Sequence, residues 1–114
     1  MREHIYRGKR IDNGEWILES ETYIKDGDGV WLSDENCNVV KVYPDTVGEF
    51  TGLLDKNGAR VFEGDIINYK SMNLQVRWDN EKAGFFIGKD KYWMMNDCEL
   101  EVVGNIFDNP ELAL

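Results

Sequence analysis

Four carboxylates stand in two close pairs, Glu63 and Asp65 in FEGD and Asp79 and Glu81 in WDNE. On a strand, residues two apart share a face, so each pair would present two acids side by side. Brought together, the four could hold Mg2+ and support phosphodiester cleavage, in which the metal polarises a phosphoryl oxygen and activates water. The same residues also spell turns. Glu63-Gly64-Asp65 reads as a tight bend whose acids face water or cap nearby amides, and this reading outweighs the first. No catalytic residue, metal or cofactor is therefore expected, and the metal-dependent phosphodiesterase is the alternative from another class.

Other chemistries find less support. His4 is the single histidine, and Cys37 and Cys98 form no CxxC pair, so a zinc site would lack characteristic spacing. Both thiols are expected to be reduced and at least partly buried. Asp26 and Asp28 suggest a calcium loop, but loop positions 5 and 12, which should supply oxygen ligands, are Val30 and Cys37. No GxxxxGK[ST] run exists to cradle phosphate.

Binding is the broader expectation. Neighbours on a strand point to opposite faces, so of Phe85-Phe86 and Tyr92-Trp93 one ring each should be core and the other available. Phe86 and Trp93 are the expected partner anchors. The net charge is -9, with +3 in the first ten residues and -12 in the rest. Such a field repels nucleic-acid phosphates, which leaves a protein partner or self-association. Acids at 15, 19, 21, 26, 28, 34 and 35 are dense enough to imitate a nucleic-acid backbone toward a host protein. No apolar run of membrane-spanning length and no apolar leader follow the basic start, so a membrane partner is not expected and the cytoplasm is the expected compartment.

The elements that must position these residues are short. With 114 residues, 42% apolar and 12% aromatic, the chain can bury roughly two-thirds of its unfolded surface as one domain, 1–114. Asn13-Gly14 lies between apolar segments, a strong hairpin signal. KDGDG and SDENCN punctuate the next strands. Asn57-Gly58 and Gly64 mark two more turns six or seven residues apart, too close for helices. With Gly52, these positions are the expected structural turn residues. The fold expected is mainly β: a small antiparallel, barrel-like meander of hairpins at 5–18, near 20–32, at 49–69 and around 76–93, closed by a C-terminal strand. At most one short helix, near 94–99, is added.

TGLLDKNG followed by FEGDII resembles the YopX protein family, small proteins encoded mainly by bacterial phages and prophages. MREHIYRGKR with GEW is similar to the family's opening, Val47 to Leu53 to its central block, and Trp78, Gly84-Phe85 and Val103 to Leu112 to its tail. Leu54 and Phe62 stand where a polar or basic residue and a tyrosine are frequent, and neither change touches the glycines. The resemblance implies a mainly β, barrel-like architecture and a phage or prophage accessory protein. It implies no particular activity.

Overall fold

A computed structural model describes residues 4–69, 71–81, 83–87, 92–93 and 100–112, with only the backbone of 92–93. The expected helical segment and Cys98 lie outside the described residues. Twelve strands are present among those described: β1 Tyr6–Lys9, β2 Trp16–Ser20, β3 Tyr23–Asp26, β4 Gly29–Ser33, β5 Val39–Val42, β6 Gly48–Leu54, β7 Arg60–Phe62, β8 Asp65–Tyr69, β9 Met72–Asp79, β10 Gly84–Ile87, β11 Tyr92–Trp93 and β12 Glu101–Asn105. Their registers are antiparallel, and one sheet curls into a half-barrel. Helical structure among the described residues is confined to 3-10 turns at Pro44–Thr46 and Pro110–Leu112. The mainly β expectation holds, and the meander is finer than the sequence suggested. The 49–69 segment is three strands rather than two, and a further turn at Ser71 joins β8 to β9.

The chain forms two compact units, residues 1–50 and 51–114. In the first, β1 pairs with β2 and with the start of β6, and β3, β4 and β5 make a second sheet. Alternation along β4 sends Val30 and Leu32 inward, where they meet Ile17 and Val42. Fully burying such a side chain contributes about 1.5–3 kcal/mol.

In the second unit the remainder of β6 leads to β7, and the other sheet has the order β11-β10-β9-β8-β12. Val61, Ile67, Val76, Phe85, Ile87 and Leu100 are its core. Gly64 adopts φ 91°, in the left-handed region that favours glycine in a tight turn. Its N–H donates to Val76 and its carbonyl accepts from Ile106. The Asp65 side chain closes the same turn by accepting the Phe62 N–H at 2.7 Å.

Two hairpin loops share one design. In Asp55-Lys56-Asn57-Gly58-Ala59 the first carboxylate Oδ1 accepts the N–H groups two and four residues on, at 2.8 and 2.9 Å. The fourth residue, Gly58, takes φ 83° and donates its N–H to the Asp55 carbonyl. Asp34-Glu35-Asn36-Cys37-Asn38 repeats every bond: Oδ1 accepts from Asn36 and Asn38, at 2.9 and 2.8 Å, and Cys37 takes φ 64° with its N–H on the Asp34 carbonyl. Cys37 is exposed rather than partly buried, because the loop geometry places that residue at the tip.

The Asp55 loop is additionally docked. Its Oδ2 accepts the Val102 N–H at 2.9 Å, and the Lys56 N–H donates to the Leu100 carbonyl at 2.8 Å. Asp55 is buried. Burial works against its charge, but the amides of Val102, Ala59 and Asn57, with the charge of Lys56, outweigh that cost and hold the carboxyl below its ordinary 3.8.

A group with a depressed folded value contributes stability above its unfolded value and loses it as pH falls through the folded one. Asp55→Asn, which turns an amide N–H donor where the Val102 N–H needs an acceptor, should cost about 2 kcal/mol at pH 7. Its deficit relative to wild type should shrink as denaturant melts are moved below pH 3.8. The twin loops predict opposite responses to glycine chemistry. Gly58→Ala meets no atom within 4 Å, so its cost is conformational, on the order of 1–2 kcal/mol. Cys37→Gly relieves the same strain against a looser unfolded chain, a net gain of about 0.5 kcal/mol. Thermal melts of the two variants check both signs.

Candidate functional site

The first unit holds a cleft of about 500 Å³ between β2 and the β4–β5 loop. From β2 come Trp16, Leu18 and Glu19; from the loop come Asp34 and Glu35; Arg10 and Glu15, from the turn before β2, complete the set. Four carboxylates, Glu15, Glu19, Asp34 and Glu35, and one guanidinium thus line the cleft. Leu18 is 60% exposed, which makes it an apolar contact surface within an acidic rim.

Local bonding fixes these groups. Arg10 binds Asp12 bidentately at 2.9 and 2.8 Å and lies 3.8 Å from Asp34. Its hydrogen bond holds the Asp12 carboxyl below the ordinary range. Asp34 is held low first by the Asn38 amide and then, against some desolvation, by the Asn36 amide, the Asn38 side chain and the Arg10 charge. Both acids therefore keep their negative charge well into the acidic range.

Two basic side chains early in the chain lie against its own structure. Arg7 is buried with its guanidinium 5.2 Å from the Trp16 ring centre, and the Lys9 ammonium lies 5.5 Å from the same ring. Residues 11–50 carry two lysines against ten carboxylates, a net of -8. All seven acids singled out in the sequence belong to this unit. Glu15, Glu19, Asp34 and Glu35 meet at the cleft, whereas Asp26 and Asp28 sit in the β3–β4 turn, where Asp26 accepts the Asp28 N–H.

A second surface is the outer face of the β3-β4-β5 sheet. Pairing places Ile24, Trp31 and Lys41 in one row across it, with Val39 in the next. Ile24 and Val39 are 43% and 55% exposed. The Lys41 ammonium lies 5.6 Å from the Trp31 ring centre.

Other sequence expectations meet different fates. Glu63 is half-buried at its turn and Asp65 is buried. Asp79 accepts the Glu81 N–H at 2.9 Å, which is turn chemistry. Among the described residues no three His, Cys, Asp or Glu side chains are grouped to hold a metal, so the four carboxylates are not assembled into a metal cluster there. Phe86 is 2% exposed, which corrects its expected role as a surface anchor. Phe85 faces the core of the unit, and the opposite face is covered too, at Phe86 and at Ile66. The side chain of Trp93 lies outside the described residues.

Asn13 accepts the Glu15 N–H and Gly14 takes φ 75°, as a hairpin turn requires. Gly52, also at positive φ, lies inside β6 rather than in a turn. There Thr51 Oγ1 takes over local bonding, donating to the Val61 carbonyl and accepting the Leu53 N–H. Trp16 and Leu18 were missed as cleft residues. Their alternation in WILES was visible, but the loop that makes β2 a cleft wall comes from residues more distant in sequence.

Among solved structures, the crystal structure of protein EF1440 from Enterococcus faecalis is similar along 100% of both chains, with a TM-score of 0.64 at 20% identity. That likeness concerns the fold. No curated protein matches the sequence. The family described as YopX protein matches residues 5–113, across both compact units. The chain belongs to the YopX family.

Proposed function

We propose that this is a phage or prophage accessory protein that acts in the bacterial cytoplasm by binding another protein, whose basic segment enters the cleft of the first unit. The observation that carries the reading is the composition of that cleft. Leu18 and Trp16 offer apolar and aromatic contact, and four carboxylates supply a field that selects cations. Nucleic acid is a poor fit, since the nearby cations Arg7, Lys9 and Arg10 are committed to Trp16 and Asp12. A second reading rests on the gathering of seven acids in one unit. The partner would then be a protein whose nucleic-acid site this surface occupies by imitating phosphates. The phosphodiesterase reading draws no support from a buried Asp65 bonded to a turn amide.

The test is capture from a bacterial lysate, with nuclease, by the wild type and by a Glu15→Gln, Glu19→Gln, Glu35→Gln variant. All three side chains are exposed, so the variant should melt within about 0.5 kcal/mol of wild type. A partner retained after nuclease and captured about tenfold less by the variant is the expected result. Equal capture by both proteins would remove the cleft from the reading. Release of the partner by added DNA or RNA would select the mimic.

A further inference from the structure

The outer edge of β3 carries an inference that does not depend on what enters the cleft. Ser20 Oγ sits where the β3–β4 ladder would have its next rung. It accepts the N–H of Thr22 at 3.1 Å and of Ser33 at 2.9 Å, and it donates to the Thr22 carbonyl at 2.6 Å. Thr22 therefore turns both backbone groups toward β4. Backbone groups alternate in direction along an antiparallel strand, so Ile24 and Asp26 also face β4. Tyr23 and Lys25 then direct their N–H and C=O groups away from it. β3 is outermost in its sheet and exposed at all four positions. Among the described residues, no backbone bond reaches those outward groups.

We infer that this edge pairs with the β3 edge of a second copy of the chain, antiparallel about a two-fold axis, with Ile24 opposite Ile24 of the partner subunit. The register follows from the faces. A shift of one residue would set the outer face of one sheet against the inner face of the other. A pairing centred on Lys25 would oppose two ammonium groups. One centred on Tyr23 would ask Glu21, which lies before the strand, to complete the ladder. Centred on Ile24, Tyr23 of each copy faces Lys25 of the other, and those two residues carry the outward donors and acceptors, giving four backbone hydrogen bonds. Lysine on an open edge discourages indiscriminate pairing; here it also selects the register.

The outer face gains continuity from this arrangement. The row Lys41-Trp31-Ile24 runs to the axis and repeats beyond it, so the apolar side chains meet in the middle and the lysines stand at the ends. The contact is isologous, as closed dimers require. A four-residue edge is small beside the roughly 1,200 Å² of the smaller specific interfaces, so the association depends on concentration.

Sedimentation of the full chain over a concentration series should show a rise from the 13.2 kDa monomer toward twice that mass. Lys25→Pro deletes only an outward N–H, and it should stay monomeric at every concentration while keeping the wild-type circular dichroism spectrum. Because proline could also disturb the strand, wild-type hydrogen exchange provides the second readout. The Tyr23 and Lys25 amides should exchange about tenfold more slowly at high than at low concentration. Three results would overturn the inference: a wild type monomeric throughout, a folded Lys25→Pro variant that still dimerises, or edge amides whose exchange ignores concentration. In the first case the edge would be left to an extended segment of a different protein.

Discussion

The Asp55 carboxylate accepts hydrogen bonds from three amides on two separate stretches of chain, and the way the second unit is tied together rests on that arrangement. Two of the donors, Asn57 and Ala59, belong to its own loop, and the third is Val102 on β12. β12 pairs with β8, so one charged side chain ties the β6–β7 hairpin to the edge of the larger sheet. An apolar residue there would leave three donors to find other acceptors, and an uncharged amide could satisfy only two. The loop design explains why an acid is required at that position.

The repetition of the design at Asp34 shows how the same local physics serves two ends. In the second unit the loop is docked and structural. In the first its hydrogen bonds are internal, and Asp34, half-buried beside Arg10, and the exposed Glu35 become a cleft wall. A glycine stands at the left-handed position of one loop and a cysteine at that of the other. The acid and the asparagine two residues later are common to both, and together they specify the loop more reliably than the glycine does.

Much of the fold was legible because its signals are local. Asn13-Gly14, Asn57-Gly58 and Gly64 are turn chemistry confined to a few residues, and Gly14, Gly58 and Gly64 all take positive φ. Gly52 misled because positive φ also serves a kink within a strand. Phe86 misled for a different reason: alternation tells which face a ring occupies but not whether that face is covered. The cleft was legible only as a list of acids. Its walls come from β2 and a loop more than ten residues away, brought together by Ile17 packing on Val30 and Leu32 and by Ser20 bonding Ser33. No periodicity in the sequence encodes that contact.

Asp55 also joins two very different sequence separations. Its loop amides lie within four residues and are available as soon as the hairpin is made, whereas Val102 is 47 positions further along. The loop bonds are therefore local in sequence and the Val102 bond is long-range. Closing the intervening loop is the slower, entropically costly event. On entropic grounds the loop's own bonds are the cheap ones to make, and the bond to β12 is the one that carries the cost of long-range closure.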